Sequence, residues 1–329
     1  MEPDAKRRKT EDPPWDAVLV LPELESRPVE LTPAYAAPVL LRTETSRLVR
    51  ELAVARPLTA LPHLKRVRAA GEAWPLELLL CPAGPSPAPL TLSELLPAGQ
   101  VDPRGLGEPF LVRVPARVPL TRPQFEEAAR HWPTAFHENK RTSLALAGQL
   151  FTPRDKAAMQ GYMEQAIQAA RRGAELGMVP AGAAVVEPAT GRVLAVGHDC
   201  RKSLHPLLHA TMVCIDLVAH RQGGGVHSYR DYPACSFLAP DGAPRPSSDG
   251  LPYICTGYDL YLTREPCPMC AMALVHSRIQ RVFYGVATSQ GALGTSYRLH
   301  GHRDLNHHFE VFRSVLEGPC GRLGQDLAS

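Results

Sequence analysis

Three residues in this chain have the types and spacing to hold a metal ion. His209 stands in LLHATMVC (207–214), and Cys267 and Cys270 form a C-x-x-C pair in EPCPMC (265–270). An imidazole and two thiolates suit tetrahedral zinc, with sulfur at about 2.3 Å and nitrogen at about 2.0 Å. The C-x-x-C spacing lets both sulfurs reach one ion. The pair alone is ambiguous, because a redox couple, half a zinc finger and a catalytic zinc site all use it. A zinc that activates water also needs a nearby group to move protons, usually a carboxylate. Two positions after His209 the residue is Thr211. The plain alternative is a core histidine beside two structural thiols.

The elements around these residues predict how they meet. Thr152-Pro153-Arg154-Asp155 opens a helix with a hydroxyl cap, proline in the first turn and an early acid. Met159, Met163, Ala166, Ile167 and Ala170 continue it at the helical period. Residues 180–199 read as a hairpin about Pro188-Ala189-Thr190-Gly191. LLHATMVCIDLVAH is a second helix, YDLYLT (258–263) a strand, CPMCAMALVHS a third helix and RVFYGV (281–286) a strand. Strand, helix, strand at that length is a parallel βαβ unit. Cys267 and Cys270 then lie on a first helical turn, where free N–H groups favour thiolate. His209 starts the preceding helix, so two helix N-termini on one sheet edge converge on the site. The expected fold is an α/β sandwich over 152–329, interrupted by a Gly-, Pro- and Ser-rich insertion, without regular structure, near 221–252.

The first half has a different texture. Residues 1–28 are polar and aperiodic and read as a disordered tail. Its Lys6-Arg7-Arg8-Lys9 run is either a nuclear localisation signal or a solvated charge run. Residues 29–120 read as strand, helix, strand, strand, helix, strand, the pattern of a small α+β ferredoxin-like domain. Residues 121–151 read as a linker, with a helix from Thr121 to His131 stopped by Trp132-Pro133.

The chain has 329 residues, enough for two domains, and 44% are hydrophobic. No apolar run approaches the ~18 residues of a membrane span, so no membrane partner is expected. The net charge of +3 neither demands nor excludes a polyanion; any nucleic-acid footprint must come from local clusters. Of eight cysteines, seven lie from Cys200 onward. Without a secretory signal they read as metal or redox chemistry before disulfides.

Zinc deaminases acting on nucleobases carry H-x-E followed by P-C-x-x-C. His209-x-Thr211 and Pro266-Cys267-x-x-Cys270 fit this except at the glutamate. Together with MALVHSRIQRVFYG (272–285), GALGT (291–295) and LNHHFEV (305–311), these residues give a chain that resembles the tRNA adenosine deaminase branch of the zinc-dependent deaminases over about 155–320. The extra N-terminal domain and the missing glutamate narrow the resemblance to the non-catalytic subunits of eukaryotic wobble-adenosine tRNA deaminases. That resemblance implies a cytidine-deaminase-like three-layer α/β/α domain, one Zn2+ on His209, Cys267 and Cys270, and a catalytic deaminase subunit as heterodimer partner. It also implies tRNA as the shared substrate and residence in nucleus and cytoplasm.

Threonine cannot alternate between protonated and ionised forms near neutral pH. Losing a general acid–base typically costs ~10²–10⁴-fold, so the site should hold zinc and be nearly inert. Glu265 could substitute only if it were not engaged by local backbone, and Asp216 should point away. For tRNA, the candidates are Lys65, Arg66 and Arg68 in HLKRVR, then Lys140 and Arg141, with Arg171, Arg172, Arg298 and Arg303 on the deaminase-like half. Their contacts would be to phosphate. The helix around Met269–Ile279, with Phe283 and Tyr284, is a candidate subunit interface. Two other functions remain open at this point: an autonomous deaminase with an unusual acid–base group, and a zinc-stabilised RNA-binding scaffold.

Overall fold

Two short elements open the chain: strand β1 (Val18–Leu19) and a single helical turn, α1 (Glu23–Ser26). The structure, a computed structural model, describes residues 15–70, 75–84, 87–203, 205–238 and 253–324. The Lys6–Lys9 run lies outside them. The chain divides into two units, Leu24–Ser143 and a second one built from residues up to Glu23 and from Leu144 onward.

In the first unit, β2 (Leu31–Pro38), α2 (Thr45–Ala55), β3 (Val67–Ala69), β4 (Leu76–Pro82), α3 (Leu92–Leu95) and β5 (Phe110–Pro115) follow the expected order. The sheet is β3-β4-β2-β5, antiparallel throughout. The second and fourth strands of this unit thus flank the third and the first, the ferredoxin-like arrangement that the element order predicts. Alternate residues of β2 serve opposite faces. Tyr35 and Ala37 pack with Leu48 and Leu52 of α2, whereas Ala34 and Ala36 pack with Leu61, Leu64 and Trp132.

Residues 121–151 are not a loose linker. Helix α4 (Arg122–His131) is capped by Thr121, whose hydroxyl accepts from Gln124 N at 3.4 Å, and α5 spans Lys140–Leu146. Trp132 is fully buried and donates from its indole nitrogen to Lys65 O at 2.7 Å. A buried tryptophan contributes far more than the helix that carries it, so the stretch up to Ser143 folds with the first unit.

The second unit is a seven-stranded sheet in the order β1-β11-β10-β9-β6-β7-β8. Helix α6 (Pro153–Glu175) begins with the predicted cap: Asp155 N donates to Thr152 Oγ1 at 3.2 Å and Thr152 N to Asp155 Oδ2 at 2.9 Å. Strands β6 (Gly182–Glu187) and β7 (Arg192–His198) form the hairpin, followed by α7 (Ala210–Arg221) and β8 (Ser236–Phe237). Then β9 (Asp259–Arg264), α8 (Pro268–His276) and β10 (Arg281–Val286) make the parallel crossover. Strand β11 (Glu310–Arg313) pairs parallel to β10, and α9 (Glu317–Arg322) closes the described chain. Side chains alternate across the sheet. Leu260, Leu262, Val282 and Val311 face α7 and α8; Tyr261, Phe283 and Phe312 face α6 and α9. This is a three-layer α/β/α unit.

Two stretches expected to lack structure have it. Val18 and Leu19 belong to the sheet: β1 pairs antiparallel with β11, and Val20 N donates to Val311 O at 2.8 Å. In the described part of the insertion, Asp216 of α7 accepts from Val226 N at 2.8 Å and from Tyr229 OH at 2.9 Å, and β8 joins β7. Residues 239–252 of that insertion lie outside the described chain.

Candidate metal centre

His209 and Cys267 are both helix N-caps, with extended backbone at φ −65° and −72°. Their carbonyls accept the first helical bonds, from Val213 N at 3.0 Å and Ala271 N at 2.9 Å. Pro268 sits in the first turn of α8, where its missing N–H costs nothing. Strand β9 therefore delivers Cys267 to the same sheet edge at which α7 begins, and one turn of α8 brings Cys270 alongside.

His209 Nδ1 lies 3.6 Å from Cys267 Sγ, and the three donor atoms are within 4.8 Å of one another. Donors on one tetrahedral zinc stand about 3.6 Å apart for nitrogen and sulfur and about 3.8 Å for two sulfurs. The trio fits zinc. Cys270 is buried, while His209 and Cys267 are half-buried. No further His, Cys, Asp or Glu among the described residues joins them. The Cys267 thiol is pushed down to about 5, first by the Cys270 thiol that hydrogen-bonds it, then by the backbone N–H groups of Cys270 and Met269 and by His209. Cys270 moves the opposite way because it keeps the shared proton and is more deeply buried.

Thr211 is 4% exposed, and its hydroxyl acts to lower the pKa of the Cys270 thiol, against the larger upward effect of Cys267 and burial. Threonine supplies no ionisable group. Glu265 does not replace the missing acid. Its buried carboxylate accepts from Leu293 N at 3.0 Å, Gly294 N at 2.7 Å, Thr295 N at 3.0 Å and Thr288 N at 3.2 Å, and from the Thr295 hydroxyl. A Cβ on Gly291 would fall 2.0 Å from that carboxyl carbon, so the loop wraps the carboxylate closely.

The basic candidates separate into two kinds. Arg66 is structural: its guanidinium donates to Leu79 O at 3.0 Å, Leu80 O at 2.9 Å and Arg56 O at 2.8 Å. Arg68 pairs with Glu77, donates to His131 O at 2.9 Å and lies 4.3 Å over the Trp132 ring. Sequence alternation cannot reveal a guanidinium that turns back onto its own sheet. Lys65, Lys140, Arg141, Arg171, Arg172 and Arg303 are exposed, and Arg172 meets Glu175. Phe283 and Tyr284 are not surface groups: both are buried, and Phe283 stacks between Tyr261 and Phe312. On α8, Met269, Met272 and Ala273 are half-buried and His276 is exposed, one helical stripe.

The fold also gathers a trio that the sequence pattern did not single out: His198, Cys200 and Cys235, all buried, with donor atoms within 4.8 Å. His198 and Cys200 are two residues apart, but Cys235 arrives from within the insertion, so only the folded chain joins all three.

The zinc-binding region of the cytidine and deoxycytidylate deaminases matches residues 156–286, and the N-terminal domain of the tRNA-specific adenosine deaminase TAD3 matches residues 32–132. The chain is 57% identical to the human "Probable inactive tRNA-specific adenosine deaminase-like protein 3", over 98% of this chain and 96% of that one. It is 58% identical to the mouse protein of the same name, over 98% and 95%. It is 28% identical to the Schizosaccharomyces pombe "tRNA-specific adenosine deaminase subunit tad3", over 91% and 89%.

Proposed function

The chain belongs to the family of inactive tRNA-specific adenosine deaminase-like protein 3, and from that premise we propose that it is the zinc-holding, tRNA-positioning partner of a catalytic deaminase that converts wobble adenosine to inosine. The observation that carries this reading is the pairing of a complete donor set with Thr211. His209, Cys267 and Cys270 are spaced for zinc, and at the position of the group that would shuttle protons stands the buried hydroxyl of Thr211. On its own the chain is an inactive deaminase-like protein.

Zinc in this site would act structurally. It would clamp the start of α7 to the start of α8, and the binding free energy of such a site adds to folding by several kcal/mol. When bound, the ion offers Lewis acidity, but no residue here takes a proton from water or passes one to a purine. Two features support a binding role. Lys65, Lys140 and Arg141 are exposed cations within the first unit, suited to phosphate. The Met269–Met272–Ala273–His276 stripe is a partly apolar helix face suited to a second protein. The fission-yeast relative is named a subunit, which favours the same assignment.

The test is co-purification of the full chain with a deaminase that carries an intact H-x-E. The pair should bind tRNA and form inosine, and substitution of Met269 and Met272 by aspartate should separate the two chains. A catalytic chain that reaches full activity and tRNA affinity without this one would refute the proposal.

A further inference from the structure

We infer that His198, Cys200 and Cys235 form a second zinc site, separate from the one at His209. The Cys200 and Cys235 sulfurs are 3.9 Å apart, and His198 Nδ1 is 3.7 Å from the Cys200 sulfur. Sulfurs on one tetrahedral zinc stand about 3.8 Å apart, and a nitrogen and a sulfur about 3.6 Å. Both separations match, and Cys200 and Cys235 are far enough apart in the chain that only the fold brings them together. Nδ1 donates to the Asp199 carbonyl oxygen at 2.8 Å, a hydrogen bond that a metal on this nitrogen would replace.

Two further observations point the same way for the fully buried His198 and its cysteines. The ring's place is held from behind: a Cβ on Gly173 of α6 would fall 2.6 Å from His198 Cγ. Two thiolates and Zn2+ sum to no net charge, which suits a site with all three residues buried. The location gives the ion a task. Cys235 stands one residue before β8, which pairs with β7 through only two residue pairs. A metal joining Cys235 to the end of β7 would fasten the chain entering β8 to the sheet edge.

Zinc content of the full chain, purified without added metal or chelator, tests this against the His209 site. The wild type should hold two zinc per chain, Cys235→Ser one, the Cys267→Ser/Cys270→Ser pair one, and the combined variant none. Should the His209 site hold none, the wild type would carry one zinc that Cys235→Ser removes and Cys267→Ser/Cys270→Ser leaves, and the inference would stand while the reading of that site would fall. A zinc count unchanged by Cys235→Ser overturns the inference. So does an intact mass showing a Cys200–Cys235 disulfide in the freshly purified chain. A measurement on the wild type guards against misfolded variants: alkylation with and without a strong chelator, mapped by residue. Chelator should open Cys200 and Cys235 while Cys214 and Cys255, equally buried, stay closed. If chelator opens all four together or leaves Cys200 and Cys235 closed, the site is not a metal site.

Discussion

Arg66→Ala should loosen the N-terminal sheet and leave tRNA contacts intact. The guanidinium joins the end of α2, through Arg56 O at 2.8 Å, to the centre of β4, through Leu79 O at 3.0 Å and Leu80 O at 2.9 Å. Burial pushes its pKa down from the ordinary arginine value, a sign that the charge sits in the structure and not in solvent. Hydrogen bonds from a charged donor contribute about 1.5–3 kcal/mol each, and the four on this group, with a longer one to Leu52 O at 3.4 Å, do not add fully. Returning the lost charge to water offsets part of the sum, which leaves a cost of about 2–3 kcal/mol. Amide hydrogen exchange in the full chain reads this locally. Exchange at Leu78–Cys81 should accelerate by roughly 30- to 150-fold, since 1.4 kcal/mol is tenfold. Lys65→Ala, one residue away and exposed, should leave that exchange unchanged. If Arg66→Ala leaves exchange within about twofold of wild type and abolishes tRNA binding, the structural reading of Arg66 is wrong.

Other expectations follow the same lines. Glu265→Ala strands four backbone N–H groups that now donate to the carboxylate, which should lower stability by about 3–5 kcal/mol, whereas Glu265→Gln keeps an acceptor and should cost less than half of that; chemical denaturation compares the two. His300 is buried, and burial together with Arg298 pushes its pKa down to about 4, although its Nε2 donates to Val20 O. The unfolded chain binds this proton near pH 6.5, so the stabilising contribution is complete above about 6.5 and is lost as pH falls towards 4. Stability should drop over that window by up to about 3 kcal/mol, and His300→Gln should flatten the drop. Joint removal of charge at Lys65, Lys140 and Arg141 should weaken tRNA binding and lower its salt slope by about 1–2; an unchanged slope would move the RNA surface elsewhere.

What could be read in the sequence was what local chemistry specifies. The donor trio was legible because histidine and paired cysteines at helix starts have few other uses, and Thr211 was legible as a departure from a fixed pattern. The first unit's ferredoxin-like arrangement followed from the order of its elements, strand, helix, strand, strand, helix, strand, although 76–81 reads as a continuous apolar run and not an alternating one. Long-range pairing was not legible. Val18 and Leu19 look like part of a polar tail until β11, almost 300 residues later, supplies their partner. The insertion looks featureless until Asp216 gathers Val226, His227 and Tyr229 onto α7. Trp132 looks like a helix stop until Lys65 O and Arg68 enclose it. In each case one side chain or strand receives its meaning from residues that no local window contains.

A site that holds zinc and cannot turn over is tested most directly by inosine formation on tRNA by the full chain alone, at enzyme excess, alongside its zinc content before and after Cys267→Ser. The expected result is zinc that Cys267→Ser reduces by one per chain and no inosine from the chain alone at any enzyme excess. Inosine formed by the lone chain, or a zinc count that Cys267→Ser leaves untouched, would contradict it.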